Sequence, residues 1–269
     1  MHNLVERKQL YFLTMYTFTF AKSFTTQEVL ATTVILLTTG LFTAYWFIAQ
    51  SASLKAWFYN QHPFDIASRK HIFFTKYMGF FLLGVIPVIL LMSFFNVTLP
   101  NVGLTWYANT SWFTIGWTIV LSVLVIPLAY QSAKKPANLL NYPQIRAKNW
   151  TKKTFYVNLF GWAIYLFGYE LLFRGVLLFL LVDAVGVPIA ISINVMMYAI
   201  SHIPKGLSET IGAIPLGLVL CVLSLLSGTI WIAFFVHIAL SFTNSLTALA
   251  HHPEITYVNW KKKATNAHD

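Results

Sequence analysis

"NLFGWAIYLFGYELLFRGVLLFLLV" occupies residues 158–182. A helix that crosses a bilayer needs roughly 20 consecutive, mostly apolar residues. This run is long enough, and it carries only two charges, Glu170 and Arg174, inside "GYELLFRG" (168–175). A charge near the bilayer centre costs at least ~2.5–3.5 kcal/mol on the insertion scale. Neither side chain is therefore expected to face lipid. Four residues apart, they share a helix face and can pair.

The rest of the chain supports the membrane reading. Its 269 residues are 57% hydrophobic and 10% charged, whereas soluble domains carry about 25% charged residues. The mean hydropathy is +0.65. The fold class is all-α, a polytopic transmembrane helical bundle. Spans are predicted over 29–49, 72–95, 111–130, 155–181, 187–202, 208–226 and 229–249. An aromatic, Thr-rich stretch at 10–21 is short for a span; counted as an eighth, it puts Arg7 and Lys8 on the cytoplasmic side. The bundle thus has seven to eight spans. The lone cysteine, Cys221, excludes a disulfide within the chain.

The net charge of +10 raises the question of nucleic acid. The cations, however, cluster in the 50–71 and 131–154 connectors and at 261–263, alternating with connectors poor in them. That is the positive-inside pattern. It places the 131–154 loop and the C-terminus in the cytoplasm and makes the lipid bilayer, not nucleic acid, the expected partner. The 131–154 break also divides one membrane domain into N-terminal helices with the basic loop (1–153), a helical core (154–250) and a basic tail (251–269). Lys76, near the start of a span, is expected to snorkel to the surface.

Three other ionisable residues join Glu170 and Arg174 in or beside the spans: His202, Glu209 and His237. Pro204 and Gly206 between His202 and Glu209 predict a helix break there. A carboxylate and two imidazoles around a wet cavity can activate water and steady an oxyanion. They can also hold a metal through two His and one carboxylate. No HExxH motif is present, so metal at Glu170, His202 and His237 is the weaker reading and no cofactor is expected. Each residue has a plainer reading: a structural ion pair for Glu170 and Arg174, a backbone-bonded helix-end residue for His202, a core histidine for His237. Glu209 reads as a first-turn acid and Tyr169 as a packing aromatic.

"YELLFRG" (169–175), "YAISH" (198–202) and "HIALS" (237–241), in this order on apolar helices, resemble the CAAX prenyl protease and bacteriocin-processing (CPBP) family of intramembrane endopeptidases. The resemblance covers about 154–250. It implies an eight-span fold with catalytic groups near the bilayer, and it carries over to Glu170, Arg174, His202 and His237. The family's first motif usually begins Glu-Glu, the leading Glu activating water; that position here is Tyr169. Its third motif usually ends in an Asn that helps the oxyanion; here Ser241 stands there, still a hydrogen-bond donor. Glu209 is a second candidate for the missing carboxylate.

The function these features imply is hydrolysis of a peptide bond near the membrane by carboxylate/His-activated water. The substrate would be a hydrophobic, prenylated or signal-like peptide, and the setting a bacterial inner or cell membrane. The alternative is a catalytically inactive scaffold or bacteriocin-immunity protein of the same fold, which the changes at 169 and 241 favour. A transporter is a third reading, weakened by the lack of an internal repeat.

Overall fold

Each of the seven apolar runs forms a helix long and apolar enough to cross a membrane, in a computed structural model that describes residues 24–258. The 10–21 stretch, with Arg7 and Lys8, and the lysines at 261–263 lie outside the described residues.

The first span, α1 (Thr26–Ala49), starts on a capping box in which Thr25 and Glu28 satisfy each other's free N–H groups. The 50–71 connector is more ordered than its polar letters suggest. It holds a short helix, α2 (Ala52–Gln61), and the first turns of α3 (Phe64–Gly79). α3 continues through a π-helical stretch, Phe80–Val85, into α4 (Ile86–Phe95). Then come α5 (Ser111–Ala133), the single turn α6 (Pro136–Leu139) and α7 (Lys152–Glu170). α7 runs into a second π-helical stretch, Leu171–Phe179, and ends as α8 (Leu180–Val185). The helices α9 (Val187–Ile200), α10 (Leu207–Ser227) and α11 (Trp231–His251) complete the bundle. The expected break after His202 is a tight turn, Ile203–Lys205, closed by Gly206 at φ 105°, a conformation that favours glycine.

The α7–α8 span forms the centre of the bundle. Of its apolar window 78% is buried, against 17% for the Ala108–Ala133 span. α3 packs along α7, α1 lies against α8 and the second π stretch, α9 pairs with α10, and α5 pairs with α11. The first π stretch crosses the end of α7 at close range. A Cβ added at Gly84 would stand 2.8 Å from the Cα of Gly168. No side chain larger than hydrogen fits there.

The 134–151 connector is packed rather than loose. Ile145, Ala147 and Trp150 are buried with Ile255. The backbone N–H groups of Lys148 and Asn149 donate to Asp65 at 2.7 and 3.1 Å. A two-residue parallel pairing joins β1 (Asn149–Trp150) to β2 (Thr256–Tyr257). The connector, the start of α3 and residues 252–258 thus form one layer on the basic face of the bundle.

Candidate active site

Glu170 closes α7, and the π-helical stretch begins at the next residue. Inside this stretch the carbonyl of Phe173 accepts from a side chain, the amide of Asn194 on α9, at 2.5 Å. The Asn194 oxygen accepts from the Cys221 thiol of α10 at 3.1 Å. These two bonds fix α9 and α10 around the span that carries the charges.

Glu170 and Arg174 have no exposed surface. Arg174 Nε lies 3.5 Å from Glu170 Oε2, and the guanidinium sits over the Tyr198 ring at 4.4 Å. The other carboxylate oxygen, Oε1, is 2.6 Å from His237 Nδ1 on α11. A carboxylate so placed accepts, so His237 carries its proton on Nδ1. His202 Nδ1 lies 2.8 Å from the carbonyl oxygen of Tyr198, which can only accept; His202 is therefore protonated on Nδ1 too. In the neutral form of each imidazole, Nε2 is then the nitrogen that carries the lone pair.

His202 and His237 line one cavity of about 520 Å³ between α5, α10 and α11, together with Ser241 and Glu209. The rest of its wall is mainly apolar. Of the six residues singled out from the sequence, four face this cavity. Glu170 and Arg174 stand one layer behind His237. Glu209, in the first turn of α10, pairs with Lys205 at 3.8 Å. No hydrogen bond or ion pair joins Glu209 to Glu170, His202 or His237 among the described residues. Nor does any group of three or more His, Cys, Asp or Glu among them converge as a metal site would.

Two further participants were not read from the sequence. Tyr169 is more than a packing aromatic: its hydroxyl is 2.7 Å from Ser201 Oγ, and its ring meets His237 edge-on at 5.5 Å. Tyr198 gives its carbonyl to both Ser201 and His202 while its ring carries Arg174. Tyr198 opens the "YAISH" motif, the one signal that marks it. Lys76 differs from expectation. It does not reach the surface but is buried, with its ammonium 3.0 Å from the Trp162 ring centroid and 4.3 Å from that of Tyr165. Those rings, from the neighbouring α7, hold it inside more favourably than lipid would.

Fold and site together define an integral membrane protein whose polar centre is assembled from three helices beside a cavity. Residues 150–243 match the family described as Type II CAAX prenyl endopeptidase Rce1-like, a family of proteases. The match bears out the resemblance of the three motifs and spans all six candidate residues. No curated protein and no solved structure gives a match.

Proposed function

We propose that the chain is an intramembrane endopeptidase of the CAAX type in which His237, oriented by Glu170, removes a proton from water held against His202. One observation carries this reading: both imidazoles donate through Nδ1 to fixed acceptors, and both line the same cavity. A base held by a third group is the general arrangement for activating a poor nucleophile. The water oxygen bonds to the peptide carbonyl carbon as its proton passes to His237 Nε2. The carbonyl oxygen takes the electron pair and accepts from Ser241 Oγ. The C–N bond then breaks, and His237 returns the proton to the leaving amine. Arg174, 3.5 Å from the other Glu170 oxygen, would offset the carboxylate's charge beside the imidazolium. Glu209 and Lys205 stand on the cavity wall, where they would meet a substrate's polar end.

The apolar lining suits a hydrophobic, prenylated or signal-like peptide. The alternation of basic connectors supports a cytoplasmic C-terminus, and the setting we infer is a bacterial inner or cell membrane. No metal enters the mechanism. A second reading, an inactive scaffold or immunity protein, draws on Tyr169, which bonds Ser201 where the family places its leading Glu, and on Ser241 in place of Asn.

The test is turnover of quenched prenylated and unprenylated peptides by purified protein. His237→Ala, His202→Ala and Glu170→Gln should each lower kcat/KM by about 10²–10⁴-fold, the usual contribution of acid–base groups. The chelators EDTA and phenanthroline should leave the rate unchanged. A folded protein that cleaves no member of the panel would favour the scaffold, and chelator-sensitive turnover would overturn the metal-free mechanism.

A further inference from the structure

A second cavity, of about 530 Å³, opens on the other side of His202. Lys55, Lys76, Arg146 and Lys205 line it, and no Asp or Glu does. Arg146 is spoken for by the carbonyls of Leu139 and Leu140 and by His252, and Lys205 by Glu209. Lys76 and Lys55 have no anion among the described residues. Lys76 is only 4% exposed, and its neighbours are ring faces. An ammonium buried at this depth calls for a counter-ion.

The surroundings indicate where that anion comes from. The cavity lies at the basic face, where α1 ends and α2 begins. Trp57 of α2 and Leu140 of the 134–151 connector are exposed there, as residues at the level of lipid headgroups are. On α1, Trp46 lines the cavity while Phe47 points outward and is exposed. A cavity with four cations among aromatic walls thus lies beside exposed apolar residues of α1 and α2. Basic pockets between spans are sites for anionic lipid headgroups.

We propose that this cavity holds the headgroup of an anionic phospholipid, its phosphate on Lys76 and Lys55 and its acyl chains along the outer face of α1. The cavity also reaches Tyr169, Ser201 and His202, so an occupied headgroup site would touch the back of the candidate active site.

The experiment is native mass spectrometry of delipidated protein titrated with phosphatidylglycerol or phosphatidylcholine. Phosphatidylglycerol should bind about tenfold or more tightly, as expected for two cations near the phosphate. Lys76→Met and Lys55→Gln should each lower that preference about fivefold. Lys76→Arg should keep it, and Lys134→Gln, at a lysine that does not line the cavity, should leave it unchanged. If Lys76→Met does not fold, Lys55→Gln and the loss of selectivity in high salt carry the test. Equal binding of the two lipids overturns the proposal. So does displacement of the lipid by millimolar inorganic phosphate, which would assign a soluble anion. Displacement by a peptide with a free C-terminal carboxylate but not by its amide would assign a substrate subsite and also overturn it.

Discussion

Glu170 has no exposed surface, and its two oxygens face a guanidinium and an imidazole. Removing one member of a buried ion pair leaves an unpaired charge and typically costs about 3–5 kcal/mol. Arg174→Met should therefore lower unfolding stability in detergent by about that amount. The double variant with Glu170→Met should recover part of the loss; no recovery would mean that Arg174 acts mainly through its packing on Tyr198. Tyr169 is the complementary case. Its hydroxyl bonds Ser201, which keeps a second partner in the Tyr198 carbonyl. Tyr169→Phe should cost about 0.5–1.5 kcal/mol, the usual net value of one hydrogen bond, and change turnover only a few-fold. A loss of 100-fold or more would make Tyr169 a catalytic residue. The charged residues of this site were legible in the sequence because charge is rare in apolar runs. Tyr169, Tyr198 and Asn194 were not, because a tyrosine or asparagine in a span costs too little to stand out. Their roles appear only when the helices are side by side.

Two glycines explain how elements that look ordinary in sequence come so close. Gly84 lies in the first π-helical stretch, and Gly168 lies just before the second. A Cβ at Gly168 would meet the Phe80 Cα at 2.9 Å and the Phe80 carbonyl oxygen at 3.0 Å. Backbone cannot yield as a side chain can, and overpacking typically costs about 1–3 kcal/mol. Gly168→Ala should lower the unfolding midpoint accordingly. Gly116→Ala and Gly212→Ala, where nothing lies within 4 Å, should be neutral or slightly stabilising, since alanine favours the helix by up to about 1 kcal/mol. Equal effects at all three sites would disprove the crossing as the cause. Hydropathy located the spans but not this contact, which depends on two glycines 84 residues apart in the chain. It also set the second span at 72, because Arg69 and Lys70 end the apolar run. The helix begins at Phe64, where Pro63 precedes it and Asp65 receives the connector's N–H groups.

At the scale of the molecule, the polar 134–151 connector is a clasp between the halves it joins. Its few apolar residues are isolated among lysines and give no periodic signal, yet they pack under residues 252–258. Arg146 is the pin. Its backbone N–H donates to Ser68 Oγ at 2.7 Å, and its guanidinium donates to the Leu139 and Leu140 carbonyls and, at 2.9 Å, to His252 Nε2. Arg146 and the Glu254 backbone N–H, 3.2 Å from Nδ1, both only donate, so His252 must be neutral and accepts from one of them. Partial burial, and then the Arg146 charge, hold its pKa below the ordinary 6.5, against a smaller opposing pull from Glu254. Because the clasped state disfavours the proton, its advantage is present above about pH 6.5. That advantage is lost as pH falls towards the lowered value, where the released connector binds a proton that the clasped one refuses. Hydrogen exchange over residues 140–151, corrected for intrinsic rates, should show less protection at about pH 5.5 than at about pH 7.5. His252→Ala should weaken protection at the higher pH and abolish the difference. Protection that persists in acid would shift the weight of the clasp to Asp65, Ser68 and the buried Trp150. The halves would then be joined by packing and backbone hydrogen bonds that His252 does not control.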